Sequence, residues 1–210
     1  MKKGVLFKTC IILQGPIGYV DRVISTYSSV KERVVISTNS YVPEDLKRLE
    51  DAGFNVIINP VPKIPGKKNF NNQVINTYRG CLWAKDNGFT FCLKMRVDLF
   101  CEKIDSLIDE LDGDSIYFSA YHNYNGGYLC EHMVFGDTDF MLRLWNIPES
   151  SLDLAPEIQL TNKFNEIRSG EVVKYIFPIL FERDIIVDWP NHNKTLSSYK
   201  TDKLFIYEKY

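Results

Sequence analysis

Short runs of consecutive apolar residues alternate with stretches of helical spacing along the first hundred residues. Thr9–Leu13 (TCIIL) is such a run, stopped by Gly15 and Pro16, and a run of that length between turn residues suits a strand buried on both faces. Val20, Val23, Ile24 and Tyr27 follow at helical spacing within Tyr19–Val30, and Val34–Ser37 forms a second run. Pro43 opens a helix through Leu46 and Leu49, Gly53 ends it, and Val56–Ile58 makes a third strand before Pro60 and Pro62. This repeated strand–helix–strand order predicts an α/β protein with a mixed, mainly parallel sheet flanked by helices on both faces.

The next residues, PVPKIPGKKN at 60–69, read as a loop because three prolines and a glycine interrupt any period. From Phe70 to Asn87 the apolar positions Val74, Ile75, Tyr78, Leu82 and Trp83 predict a long helix closed by Gly88. A strand from Phe89, a helix over Glu102–Leu111 and a strand over Ser115–Ser119 come next. A turn-rich YHNYNGG at 121–127 then leads into a strand over Tyr128–Phe135. Thr138–Trp145 and Pro156–Ile167 read as helices, and Val172–Ile179 and Ile185–Val187 as strands. The expected organisation is one domain over 1–190, with a donor-binding part near 8–100 and an acceptor and catalytic part near 101–190. A polar tail covers 191–210.

Composition narrows the class. With 45% apolar and 25% charged residues in 210, the chain can bury one substantial core and is unlike a disordered one. A net charge of -2 gives no broad electrostatic footprint, which argues against nucleic acid as partner. Lys8 interrupts the apolar residues after the opening lysines, so MKKGVLFKTC does not read as a secretory signal, and no run approaches the ~18 apolar residues of a membrane span. Five cysteines, odd in number and lacking C-x-x-C spacing, read as reduced packing residues of a cytoplasmic protein.

The candidate chemistry gathers where strands end. FTFCLKMRVDL at 89–99 finishes on Lys94, Arg96 and Asp98, which alternate onto one side of an extended chain. Ligands of open parallel sheets bind at the carboxyl ends of the strands. A carboxylate between two cations there suits either a solvent-exposed salt bridge or a ligand carrying phosphate with a divalent ion, such as a nucleoside diphosphate. Gln14, Gly15 and Pro16 after the first strand form a tight turn that a nucleotide can approach, and Asn39 after the second offers a contact to ribose or base. Asn69, Asn71, Asn72 and Gln73 crowd the start of the long helix beyond what one cap needs, so Asn72, Gln73 and, further along, Arg79 are candidate donor contacts. Glu131 and His132 interrupt the apolar YLCEHMVF; Glu131 is a candidate general base with His132 as ligand or orienting partner, and Asp139 is a second candidate base.

The set Q-G-P, S-T-N, N-N-Q-V-I-N-T-Y-R-G, L-K-M-R-V-D and E-H-M-V-F-G-D-T-D-F-M-L-R-L-W, spread over residues 9–146, resembles the WavE family of lipopolysaccharide-synthesis glycosyltransferases. The resemblance implies a type A glycosyltransferase fold, a nucleotide-sugar donor, and a glycan or lipid-linked glycan acceptor in surface polysaccharide or lipopolysaccharide synthesis. It also implies a divalent metal, manganese or magnesium. Type A enzymes usually carry Asp-x-Asp at this strand end, whereas this chain has Arg96-Val97-Asp98. Either Asp98 binds the metal together with His132, or Arg96 and Lys94 neutralise the diphosphate directly. Sugar nucleotidyl transfer and a non-catalytic scaffold of polysaccharide assembly are the alternatives. The lysines of PVPKIPGKKN are a candidate contact with an anionic membrane at the inner face of the plasma membrane, or part of a lid.

Overall fold

The computed structural model describes residues 3–122, 127–190 and 194–195. A helical turn α1 (Lys3–Leu6) precedes β1 (Thr9–Gln14) and α2 (Val20–Tyr27). Then come β2 (Val34–Thr38), α3 (Pro43–Asp51), β3 (Asn55–Ile58), α4 (Phe70–Asp86), β4 (Phe91–Arg96), β5 (Phe100–Cys101) and α5 (Ile104–Glu110). The second half holds β6 (Ser115–Phe118), β7 (Tyr121–His122), β8 (Tyr128–Leu129), β9 (Met133–Asp137), α6 (Thr138–Trp145) and α7 (Pro156–Ile167). It ends in β10 (Val172–Tyr175), α8 (Ile176–Glu182), β11 (Val187–Trp189) and β12 (Lys194–Thr195).

Seven strands form one sheet in the order β10-β6-β9-β4-β1-β2-β3, parallel except for β9, which runs antiparallel to both β4 and β6. The expected α/β class and mainly parallel sheet are therefore present. Because β2 and β3 lie on one side of β1 and β4 on the other, the order reverses at β1, and that reversal opens a crevice at the strands' carboxyl ends. A small sheet β12-β11-β5 stands beside this end of β4.

Two apolar layers sandwich the sheet. Val20, Val23 and Tyr27 of α2, Leu49 of α3 and Leu107 of α5 pack on Ile11, Leu13, Ile36 and Met95; Phe70 and Val74 of α4, Met141 and Trp145 of α6 and Leu160 of α7 pack on Cys10, Ile12 and Val35. All five cysteines are buried and unbridged.

Two expectations are corrected. Tyr128–Phe135 is not one strand: it breaks at residues 130–132, so β8 pairs with β7 while β9 joins the main sheet. Val172–Ile179 is a strand only to Tyr175; α8 begins at Ile176 and places Pro178 in its first turn, where a missing N–H costs no intrahelical bond. Lys194–Thr195, within the segment read as a tail, pairs with β11, and the rest of that segment from Asn191 lies outside the described residues.

Gly80 lets α4 lie close against β1: a Cβ there would fall 2.5 Å from Ile12 Cγ2. Ile12 is fully buried and has no room to retreat. Gly80→Ala is expected to destabilise the fold by about 1–3 kcal/mol, read as a lower denaturant midpoint; an unchanged midpoint contradicts this packing.

Candidate active site

A cleft of about 680 Å³ opens at the switch point, between the ends of β1, β2 and β4 and the start of α4. Its floor is the turn after β1. Gly15 has φ 135, and a Cβ there would fall 3.2 Å from Val97 Cγ1, so the turn needs glycine both for its backbone angle and for its closeness to the end of β4. Backbone bonds from Gly15 N to the Ser37 carbonyl (3.3 Å) and from Val97 N to the Gln14 carbonyl (2.9 Å) tie the three strand ends together. Three non-glycine residues with left-handed backbones, Tyr19 (φ 52), Lys68 (φ 50) and Asn69 (φ 61), line the same cleft. Each such conformation costs about 1–2 kcal/mol, and strain of this kind collects at binding sites.

One wall is a chain of amides. Ser37 Oγ donates to the Asn76 carbonyl (2.6 Å) and so must accept from Asn59 Nδ2 (2.9 Å), which fixes the Asn59 amide. Asn59 Nδ2 also donates to Asn76 Oδ1 (2.9 Å), Asn76 Nδ2 to Asn39 Oδ1 (3.4 Å), and Asn39 Nδ2 to Asn72 Oδ1 (2.6 Å). The polarity set at Ser37 therefore leaves the Asn72 Nδ2 as a donor at the cleft. Beside it, Gln73 Oε1 has no hydrogen-bond partner among the described residues. Asn71, by contrast, is structural: its side chain bonds the Ile64 carbonyl (2.8 Å) and the Ser150 amide (3.1 Å), stapling two loops over α4.

On the other wall Arg96 forms a forked pair with Asp98, Nε to Oδ1 at 2.9 Å and Nη2 to Oδ2 at 2.8 Å. Trp189 Nε1 donates to the same Oδ2 at 3.1 Å, and the Trp189 ring lies under the guanidinium, 5.0 Å from Cζ. Asp98 is thus a buried orienting group, and Arg96, with 31% of its side chain exposed and Nη1 unpaired among the described residues, is the cation the cleft sees. His132 meets the Trp189 ring edge-on at 4.8 Å, which places residues 130–132 beside this pair.

Glu131 is 2% exposed. Burial pushes its carboxyl up, but the charges of His132 and Lys94 outweigh that and hold it down at about 2. Its Oε1 stands 3.4 Å from His132 Nδ1 without hydrogen-bond alignment, so the contact is electrostatic. Lys94 is fully buried against the Trp145 ring, with Nζ donating to the Glu131 carbonyl. Burial lowers its ammonium to about 8, partly offset by Glu131.

Of the sequence candidates, Gln14, Gly15, Pro16, Asn39, Asn72, Gln73, Arg96 and Asp98 line the cleft together. Glu131 and His132 do not line the cleft: Glu131 is buried, and His132 is linked to the cleft only through Trp189, which bonds Asp98. Three others are elsewhere. Lys94 shares a face with Arg96 but lies one pleat deeper, under Trp145, so it does not reach the cleft. Arg79 is exposed on α4 away from the cleft. Asp139 pairs with Lys85 (2.8 Å) at the far end of the sheet, because β9 runs antiparallel and delivers Asp137 opposite Phe91, the first residue of β4. Asn76 and Tyr19 line the cleft without having been singled out, Lys68 lines it although it was read only as one lysine of a membrane-contacting or lid loop, and Trp189 was missed as well. Their signal was only a polar or aromatic residue near a strand end or turn.

A manganese or magnesium ion on Asp98 does not fit this arrangement. Both carboxylate oxygens are taken by Arg96, one of them also by Trp189, and hard cations need several free oxygens. Among the described residues, Cys130, Glu131 and His132 bring three potential ligand atoms within 4.8 Å of one another.

No protein-family profile and no curated protein matches the sequence, so the WavE resemblance rests on the motifs themselves. Among solved structures, a 4-diphosphocytidyl-2C-methyl-D-erythritol synthase from Anaerococcus prevotii is similar at 12% identity and TM-score 0.47, covering 80% of this chain and 87% of that one. A glycosyltransferase involved in glycosylation of the major capsid of PBCV-1 is similar at 14% identity and TM-score 0.40, with 80% and 83% covered. A nucleotidyl transferase from Methanothermobacter is similar at 10% identity and TM-score 0.42, with 84% and 95% covered.

The Lys94 shift has a testable sign. Between its folded value of about 8 and the unfolded value near 10.5, the unfolded chain holds the proton and the folded one does not, so this group adds stability as pH rises through that window. Relative to Lys94→Met, the wild type should gain up to about 3 kcal/mol between pH 8 and 10.5, read by denaturant unfolding at each pH. Parallel stability curves for the two proteins would show that the amine is not buried as described.

Proposed function

We propose that the cleft binds a nucleoside diphosphate sugar and that the protein transfers the sugar to an acceptor hydroxyl, on a glycan or lipid-linked glycan of surface polysaccharide or lipopolysaccharide synthesis. The observation that carries this reading is the Arg96 guanidinium, held in orientation by Asp98 and Trp189, lining a 680 Å³ cleft with Nη1 unpaired among the described residues. Arg96 and Asp98 cancel each other's charge, so Lys68 leaves the cleft lining one net positive charge among neutral amides, and the Arg96 guanidinium adds directional N–H donors. Such a site suits a diphosphate. The amide wall of Asn39, Asn72 and Asn76 then offers hydrogen bonds to ribose or base, and the Gly15 turn allows a close approach.

In the reaction the bond between the anomeric carbon and the distal phosphate oxygen breaks, and a bond to the acceptor oxygen forms. Arg96 stabilises the charge that develops on the departing diphosphate, the largest catalytic term in this reading. The acceptor proton passes to the Glu131–His132 pair. With its carboxyl held near 2, Glu131 is a weak proton acceptor by itself and serves as the orienting partner of His132, 3.4 Å away. An anion site of this kind also takes a nucleoside triphosphate, and sugar nucleotidyl transfer is distinguished by its products.

The test is product analysis with a panel of nucleotide sugars, and separately with nucleoside triphosphates plus sugar phosphates. Release of nucleoside diphosphate is expected, reduced at least about a hundredfold in Arg96→Met. Glu131→Gln should slow transfer to acceptor while leaving donor binding intact. Pyrophosphate release from a triphosphate would assign nucleotidyl transfer instead, and no product from either panel would favour the scaffold reading.

A further inference from the structure

We propose that Cys130, Glu131 and His132 form a binding site for one zinc-class divalent ion. The three residues occupy the break between β8 and β9, where the chain leaves strand geometry. In a regular strand their side chains would alternate between faces; here a thiol, a carboxylate oxygen and an imidazole nitrogen come within 4.8 Å of one another.

The spacing within the group speaks for a missing ligand rather than a self-satisfied pair. His132 Nδ1 stands 3.4 Å from Glu131 Oε1, is buried, and has no hydrogen-bond partner among the described residues. An ion bonded tetrahedrally at about 2.0–2.1 Å to a nitrogen and an oxygen holds those atoms about 3.3 Å apart. The observed separation is thus poor for a hydrogen bond and right for two ligands of one ion. Glu131 Oε2 is likewise buried and has no hydrogen-bond partner among the described residues, in a side chain only 3% exposed, and a buried carboxylate oxygen left so is costly unless something pairs with it.

The donor set selects the metal. A thiolate and an imidazole with one carboxylate suit zinc and its neighbours in the transition series, whereas magnesium and manganese prefer oxygen alone. Two negative ligands are needed, because Lys94 on the Glu131 carbonyl and the nearby Arg96 both oppose a cation. The Trp189 ring packed on His132 supplies a wall that limits water. With three protein ligands, one position stays open, as in catalytic rather than structural zinc sites.

This inference does not depend on the transfer reading, although an ion here would hold the atoms to which that reading passes the acceptor proton. The full-length protein, stripped with a chelator, is titrated with cobalt(II) and then with zinc. One equivalent of cobalt should bind, with a thiolate charge-transfer absorption that zinc abolishes. Cys130→Ser should lose that absorption, and His132→Gln, a change at a partly exposed side chain, should weaken binding at least about tenfold. Cys81→Ser, in the separate buried group of Cys10, Cys81 and Cys92, should keep both. Absence of stoichiometric binding, or an absorption that survives Cys130→Ser, overturns the site. Nucleotide binding measured on the same samples keeps this result separate: binding retained without cobalt leaves the transfer reading standing, and cobalt bound without nucleotide removes only that reading.

Discussion

The forked ion pair between Arg96 and Asp98 is the interaction on which the site depends. A guanidinium at the end of a buried strand would otherwise swing over several ångströms on its flexible stem; two parallel hydrogen bonds to one carboxylate fix its plane. Trp189 adds a third bond to Asp98 and a ring beneath the cation, so β11 locks the carboxyl end of β4. Removing Asp98 would leave a partly buried cation without its partner, and such breaks are far more damaging than the pair is stabilising. In the proposed transfer, a preset Arg96 would meet developing charge without first reorganising, which is the condition for electrostatic catalysis.

Around that pair the rim is built from polar groups whose orientations are over-determined. The Ser37 hydroxyl, committed to a backbone carbonyl, sets the direction of the amide chain through Asn59, Asn76, Asn39 and Asn72, so a buried serine decides what the cleft wall offers. The left-handed backbones of Tyr19, Lys68 and Asn69 are held in place by the same surroundings. Rigidity, paid for in local strain, is what a site needs if it is to recognise a ligand rather than mould to it.

Much of the fold was legible because the parallel strands β1 and β2 are short apolar runs between turn residues; α4 was legible as a helix but not in its facing, since it buries Phe70, Val74, Thr77, Cys81 and Ala84 and leaves Ile75, Tyr78, Leu82 and Trp83 half-buried. The carboxyl-end location of the cleft followed from that, and so did the grouping of Gln14, Gly15, Asn39, Asn72 and Arg96 along it. Depth and direction were not legible. Alternation puts Lys94 and Arg96 on one face, but whether a residue one pleat back is covered depends on Trp145, fifty residues away in the chain. Nothing in the residues of β9 says that it runs antiparallel, and that alone sends Asp139 to the opposite end of the sheet. The α8 error could have been avoided, since Pro178 is a poor strand residue and a good one for a first helical turn.

The most direct measurement is calorimetric binding of nucleoside diphosphates and nucleotide sugars to the wild type, Arg96→Met and Asp98→Asn, each with and without manganese. Selective binding of one nucleotide, weakened about tenfold or more in both variants and unchanged by manganese, is the outcome expected of a site in which Asp98 orients Arg96 and Arg96 holds the diphosphate. Binding that requires manganese and is lost in Asp98→Asn but kept in Arg96→Met would contradict this account, and so would the absence of any nucleotide that binds.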